Sequence, residues 1–145
     1  MYLQALFLSI FSFTTLSFAF AENSERLKPC PNSPNCVNSL HPQGNSKIEP
    51  IYSKDTRKTL KKLEMILENL ARSKKITIEE GYLHFQIRSF LFGFIDDVEC
   101  QAFPQEGIIH IKSAAKSGYY DFNVNKNRVK KIKQALEKLE ENSQD

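Results

Sequence analysis

The sequence predicts an α+β fold: a two-layer sandwich in which a four-stranded antiparallel meander carries an amino-terminal and a carboxy-terminal helix on one face. Two observations lead to this prediction. Apolar residues recur at helical spacing after Thr56 and again after about Asn125, whereas apolar and polar residues alternate in the stretch that begins at Ile76. The resulting order of helix, four strands and helix contains no internal repeat.

The first helix is predicted to begin at Thr56, because Asp55 is placed to cap it. Its apolar positions form one stripe, which is typical of a helix that packs on a core. This stripe consists of Leu60, Leu63, Ile66, Leu67 and Leu70. The last helix is predicted over about 125–140, with lysines outward and an inward stripe of Val129, Ile132, Leu136 and Leu139.

Three turn signals divide the alternating stretch into strands, at residues 80–81, 92–93 and 104–107. A two-residue turn at 92–93 would set Arg88 opposite Asp97. The other predicted cross-strand pairs are Gln86 with Glu99, Glu99 with Lys112, and Gln101 with His110.

This register gives the sheet two chemically different faces. The face toward the helices comprises Leu83, Phe85, Ile87, Val98, Cys100, Ala102, Ile109 and Ile111. The other face, predicted to meet solvent, comprises His84, Gln86, Arg88, Asp97, Glu99, Gln101, His110 and Lys112. Cross-strand pairing explains this polar face. The alternative is a metal or acid–base pair, in which His84 and His110 flank Gln101 and a further group such as Glu99 reaches them.

Residues 1–21 are predicted to form a secretory signal peptide, because they carry no charged side chain and end in Ala19-Phe20-Ala21. Cleavage would leave a Cys-loop and extended segment at 22–54 and an α-β-β-β-β-α body at 55–145, folded together as one domain. The alternative is an uncleaved membrane anchor, which the polar residues inside the stretch disfavour. We therefore expect a secreted or periplasmic protein with no stable transmembrane span after cleavage.

The charge of the chain is close to neutral, with 20 basic against 17 acidic residues and a net charge of +3. This small excess does not indicate nucleic-acid binding. The basic residues cluster at 54–62 and 126–133, where they are expected on solvent-exposed helix faces. Weak attraction to an anionic membrane surface is the alternative interpretation.

In an oxidising compartment, Cys30 and Cys36 are predicted to form a disulfide around a short turn-rich loop. Their spacing matches neither a redox pair nor a zinc site, and we predict no bound metal or cofactor. Cys100 alternates with apolar neighbours and is predicted to be a buried free thiol. Residues 38–52 show no apolar period and are predicted to form a long ordered loop.

Charged and polar residues are predicted to meet at one end of the sheet. Strand parity turns the Asp96 carboxylate toward the helices, where it needs a partner, and Lys116 and Arg128 are the candidates. A structural pair would lock the sheet to a helix. A functional cluster would bind an anion or other ligand, with helix N–H groups near Asn125 as donors. The candidate ligand-binding residues are Arg88, Asp96, Asp97, Lys116, Asp121, Asn125 and Arg128.

Three blocks of the chain resemble the domain of unknown function 1499 family: Cys30-Pro-Asn-Ser-Pro-Asn-Cys-Val-Asn-Ser39, Arg88 to Glu99, and Ser113 to Arg128. The resemblance covers nearly all of the chain beyond the predicted signal. It implies a small secreted or envelope protein and supplies no catalytic residue, because the family has no assigned activity.

The chain departs from the family pattern at two places in the third block. In Ser113-Ala-Ala-Lys-Ser-Gly118 a hydroxyl is missing and Lys116 replaces Arg, which disfavours a nucleophilic Ser and bidentate anion binding. Lys126 likewise replaces Arg. Asn123 replaces Gly, and Asn tolerates the left-handed backbone that Gly would supply.

Three functions remain open from the sequence. The first is a non-enzymatic exported envelope protein that binds an envelope protein, a lipid headgroup or a small anion. The second is a small periplasmic enzyme that uses Asp96 or Asp97 with Lys116, or the pair His84 and His110, although no catalytic motif supports it. The third is an apolar ligand carrier whose pocket walls would be Phe90, Phe92, Phe94, Tyr119, Tyr120 and Phe122.

Overall fold

The computed structural model of the chain describes residues 25–90 and 92–143. The predicted signal peptide at 1–21 lies outside the described residues. The elements in chain order are β1 (Cys36–Asn38), a 3-10 helix (Gly44–Ser46), β2 (Ile51–Tyr52), α1 (Thr56–Glu68), β3 (Ser73–Glu79), β4 (Tyr82–Arg88), β5 (Ile95–Phe103), β6 (Ile108–Ala115) and α2 (Val124–Glu141).

The strands form one six-stranded antiparallel sheet in the order β1-β6-β5-β4-β3, and β2 also pairs with β6. The predicted meander is present as β3 to β6. The prediction of only four strands was wrong, because β1 and β2 add to the far edge of β6, and the first helix is not the first element. Segments of two and three residues carry no period of their own, so their pairing depends on the distant edge that receives them.

Both helices share one hydrophobic core with one face of the sheet. The predicted cap is confirmed, since Asp55 Oδ1 accepts a hydrogen bond from the Lys58 backbone N–H at 2.9 Å. All eight strand residues predicted to face the helices are buried, and Phe85, Val98 and Cys100 have no exposed surface. Burial raises the pKa of the Cys100 thiol to about 12, as expected of an inert free cysteine.

The predicted register is confirmed across β5 and β6, where Gln101 lies opposite His110. Across β4 and β5 it was wrong by two residues, since Arg88 pairs with Ile95 rather than Asp97. The connection is longer than a two-residue turn, because Ser89 N–H donates to the Phe94 carbonyl at 2.8 Å and closes a wider loop. An even shift keeps every side chain on its predicted face.

The second face of the sheet is partly covered by the segment at 25–30. Leu27 is fully buried, and the Gln101 Oε1 atom accepts hydrogen bonds from the backbone N–H groups of Arg26 (2.9 Å) and Leu27 (3.4 Å). The Arg26 guanidinium lies 4.9 Å from the centre of the Tyr82 ring. Gln101 is therefore only 1% exposed, which corrects its predicted position in solvent. Within 25–90 and 92–143, no helix has both the length and the apolar character to span a bilayer.

Candidate functional site

Several elements meet at one end of the sheet: β4 ends there, β5 begins, β6 ends and α2 begins. The backbone fixes this arrangement, because Lys116 N–H donates to the Ile95 carbonyl at 2.9 Å. The Cys30–Cys36 disulfide loop lies at the same end, where Ala115 N–H donates to the Asn35 carbonyl at 3.0 Å. The end of the sheet, the start of α2 and the disulfide loop therefore lie next to one another.

A buried ion pair lies inside this end. Arg128 Nη2 contacts Asp96 Oδ2 at 2.6 Å, and the two side chains are only 12% and 7% exposed. The inward orientation of Asp96 is confirmed, and its partner is Arg128 rather than Lys116. A buried carboxylate loses its hydration, so the guanidinium is the group that compensates it.

The ion pair continues into a network of neutral polar groups. Arg128 Nη1 donates to Asn125 Oδ1 at 2.7 Å and to Ser113 Oγ at 3.2 Å. Ser113 Oγ in turn donates to Asn125 Oδ1 at 2.5 Å. Ser113 and Asn125 have no exposed surface, so these hydrogen bonds take the place of water.

Asn125 also joins the helix to the disulfide loop. Its Nδ2 donates to the Asn35 carbonyl at 3.1 Å and to Asp121 Oδ2 at 2.8 Å. Asn35 is itself buried, and its side chain bonds Ser33 Oγ (2.7 Å) and the Gly118 carbonyl. The Asn125 side chain therefore bonds groups from β6, from the disulfide loop and from the connection before α2.

Asp121 occupies the amino terminus of α2. Its Oδ2 accepts from the Asn125 N–H at 2.9 Å and its Oδ1 from the Asn123 N–H at 3.1 Å. The N–H groups that we proposed as donors to a bound anion thus donate to a carboxylate of the chain itself. Asn123 has φ 62°, which confirms the predicted left-handed backbone at this position.

The structure brings four of the candidate residues together, namely Asp96, Asp121, Asn125 and Arg128. It places the other three apart. Arg88 is exposed, with Nη1 at 3.5 Å from the Gly93 carbonyl. Lys116 is exposed, and its backbone N–H is the group that bonds at this end. Asp97 lies on the opposite face of the sheet.

Sequence reasoning missed Asn35 and Ser113. Both lie within the blocks that carry the family resemblance. Strand parity places Ser113 on the same face as Ile111, toward the helices, so it was a polar group that needed a buried partner. The burial of Asn35 could not be predicted in this way, because the disulfide loop has no regular alternation of apolar and polar residues.

The polar face of the sheet is paired across strands. His84 Nε2 lies 2.7 Å from Asp97 Oδ1, and Gln86 Nε2 donates to the same oxygen at 3.1 Å. The Tyr82 hydroxyl donates to Glu99 at 2.6 Å. Burial is the main cause that raises the pKa of Tyr82 well above its usual value, and the hydrogen bond to the Glu99 carboxylate raises it further. Lys112 contacts the other Glu99 oxygen at 3.5 Å.

The proposed row of two histidines around Gln101 was wrong. With the shifted register, Tyr82 rather than His84 lies opposite Gln101. His110 instead packs edge-on against Phe103, with ring centres 5.2 Å apart, and its Nδ1 lies 3.1 Å from Ser39 Oγ. Burial lowers the pKa of His110. Across the described parts of the chain, no three His, Cys, Asp or Glu side chains are grouped closely enough to hold a metal ion.

The outer surface of the same end is apolar. Its exposed side chains lie in the β4–β5 and β6–α2 connections and at the start of α2, and we call this surface the aromatic end. Its members, with exposed fractions, are Phe90 (79%), Phe92 (75%), Phe94 (52%), Tyr119 (71%), Tyr120 (53%), Phe122 (79%) and Val124 (45%). Exposed basic side chains adjoin it at Arg72, Arg88, Lys116 and Lys126.

Fold and network together define a small α+β domain whose disulfide loop, sheet and last helix are joined by one buried polar cluster. The family model described as "Protein of unknown function (DUF1499)" matches residues 26–136, which include every part of that cluster. The chain belongs to this family, and the predicted resemblance is confirmed. Comparison with curated proteins gave no match.

Proposed function

We propose that this protein is a non-enzymatic binding domain, exported to the cell envelope, that contacts its partner through the aromatic end. One observation carries the proposal: at this end the polar groups are bonded inside the domain, whereas large apolar side chains remain in solvent. Binding modules differ from enzymes in this way, because catalytic sites collect unpaired titratable groups in a concavity.

The bonding inside the network supports a structural role for it. Arg128 directs one guanidinium nitrogen to Asp96 and the other to Asn125 and Ser113. A ligand anion at Arg128 would have to displace the Asp96 carboxylate, which would then be buried without compensation. A small-anion site is therefore the weaker reading of this cluster.

The exposure of the rings supports a surface role for them. Large aromatic residues bury 150–250 Å² when they pack in a core, so leaving several of them in solvent forgoes much of this stabilisation. Clustered exposed apolar residues mark interaction sites far more often than scattered ones do. The same exposure argues against the apolar carrier, whose rings would have to enclose a cavity.

Export is supported by the composition of residues 1–21 and by the disulfide, which persists in oxidising compartments. We expect the mature chain to begin at Glu22. Mass spectrometry of the purified protein, without reduction, should give a mass that begins at Glu22 and is smaller by two hydrogens than that of the reduced form. A chain that retains Met1 would contradict cleavage.

Site-specific photo-cross-linking in the producing cells tests the binding surface. A benzoylphenylalanine replaces Phe92 in the aromatic end. The matched control replaces Tyr52, which is 71% exposed and ends β2 at the other end of the sheet. We expect a discrete cross-linked protein or lipid adduct from position 92 and none from position 52. Equal cross-linking at the two positions, or none at position 92, would contradict the proposed function.

A further inference from the structure

We propose that the partner of the aromatic end is an anionic phospholipid membrane surface, on which the folded domain rests end-on. This inference rests on the proposed function and names its partner. The position of the rings, the charges beside them and the backbone that holds them support it.

The rings occupy the connections at one tip of the sandwich. Phe92 and Phe94 contact each other in the β4–β5 connection, with ring centres 5.6 Å apart. Tyr120 and Phe122 contact each other in the β6–α2 connection at 5.0 Å. Exposed apolar and aromatic side chains of this kind can enter the boundary between headgroups and acyl chains. A fluid bilayer receives such a tip without needing a shaped pocket.

The charges beside the rings are basic. Arg72 lies over the Phe90 ring, with its guanidinium carbon 5.0 Å from the ring centre. Arg88 is the last residue of β4, and Lys116 directly follows β6. None of these cations forms an ion pair with a residue that the structure describes. They remain available to a negative surface, where each adjacent Lys or Arg strengthens attachment.

The acidic groups of this end are already engaged. Asp96 is paired with Arg128, Asp121 accepts bonds at the start of α2, and Glu68 at the end of α1 pairs with Lys75. At the opposite end of the sheet, acidic residues lie in the turns and at the start of α1. They are Asp55, Glu79, Glu80 and Glu106, of which Glu79 and Glu80 pair with Arg26 and Arg57. The cations of the aromatic end that have no ion-pair partner among the described residues would orient this end toward an anionic surface.

The backbone of the β6–α2 connection is strained under an exposed ring. Phe122 has φ 53°, a left-handed conformation that is rare for a bulky residue, yet 79% of it is in solvent. No core packing accounts for holding this ring outward. Such strain is found at binding sites, where the bound partner uses the conformation that the fold maintains.

Sedimentation with vesicles tests the inference. The chain beginning at Glu22 retains every described residue and lacks the apolar stretch 1–21, which could bind lipid by itself. A cooperative thermal transition first establishes that this chain folds; otherwise the same variants are compared in the full chain. The probes are vesicles of equal parts phosphatidylglycerol and phosphatidylcholine, and vesicles of phosphatidylcholine alone. We expect binding to the anionic vesicles that weakens as salt is raised from about 0.05 to 0.5 M.

Two sets of variants separate the apolar and the charged contributions. Phe90→Ser with Phe92→Ser should weaken binding about tenfold or more, because two rings no longer leave water. Arg88→Gln or Lys116→Gln should each weaken binding to anionic vesicles about fivefold. Tyr52→Ser removes an equally exposed ring at the far end and should leave binding unchanged.

Each outcome decides between the claims. Absence of binding to anionic vesicles, or an equal loss in Tyr52→Ser, overturns the membrane surface as partner. If position 92 nevertheless cross-links to a protein, the binding domain stands and its partner is that protein. If the protein does not bind anionic vesicles and position 92 gives no cross-linked product, both proposals fail.

Discussion

At the scale of single residues, the buried end depends on the shape of one guanidinium group. Arg128 reaches Asp96 with one nitrogen and Asn125 and Ser113 with the other. A lysine at this position could compensate the charge of Asp96. It lacks the planar guanidinium that donates hydrogen bonds to several separate acceptors at once. The pairing of Asp96 was predictable from strand parity, because an inward carboxylate needs a cation. The choice of Arg128 over Lys116 was not, since it depends on where α2 crosses the sheet.

Replacing Asp96 by Asn should destabilise the domain by about 3 kcal/mol, because the Arg128 charge then stays buried without its counterion. Asp97→Asn is the matched control. This neighbouring carboxylate faces the other side of the sheet and is 20% exposed, and its loss should cost less than about 1 kcal/mol. Urea unfolding of the two variants measures the difference. Equal losses would show that the Asp96 pair has no special structural role.

Stability should also depend on His110 in mildly acidic solution. The pKa of His110 is lowered in the fold, so below about pH 6.5 the unfolded chain takes up a proton that the native chain does not. This contribution to stability is present at neutral pH and is lost as pH falls through 6.5 toward the folded pKa. The thermal midpoint of the wild type should therefore fall more steeply between pH 7 and 5 than that of His110→Gln. Parallel curves would contradict a neutral, half-buried His110.

At the scale of elements, periodic segments were predictable and aperiodic ones were not. The stripe of α1 and the alternation of β4 to β6 follow from local sequence, because each buries one face of a regular structure. The segment at 25–30 and the short strands β1 and β2 have no such period. Their positions come from long-range bonds, such as that of Leu27 N–H to the Gln101 side chain. Sequence patterns do not record such bonds.

Leu27 tests whether the segment at 25–30 is part of the cooperative fold. Leu27→Ala should destabilise the domain by about 2 kcal/mol or more, because it opens a cavity between this segment and the sheet. Met65→Ala is the control, since Met65 is 56% exposed on α1 and its loss should have little effect. Urea unfolding gives both values. An unchanged midpoint for Leu27→Ala would mean that the segment detaches freely from the sheet.

At the scale of the whole molecule, the two ends of the sandwich differ in character. The end near β2 carries turns whose Glu79 and Glu80 pair with Arg26 and Arg57, and the other end carries the buried network beneath the exposed rings. The exposed rings could not be predicted, because the expected two-residue turn at 92–93 paired Arg88 with Asp97. The rings entered the sequence analysis as walls of a ligand pocket. The wider loop closed by Ser89 instead leaves Phe90 and Phe92 in solvent.

The central claim is that the buried polar network stabilises this end of the fold and that the exposed rings beside it bind the membrane surface. The most direct test measures vesicle binding per folded molecule for Phe92→Ser and Asp96→Asn, using anionic vesicles and the folded fraction from thermal unfolding. We predict that Phe92→Ser keeps the wild-type thermal midpoint and weakens binding, whereas Asp96→Asn lowers the midpoint and keeps binding for each folded molecule. The reverse pattern, with binding lost in folded Asp96→Asn and kept in Phe92→Ser, would contradict the account.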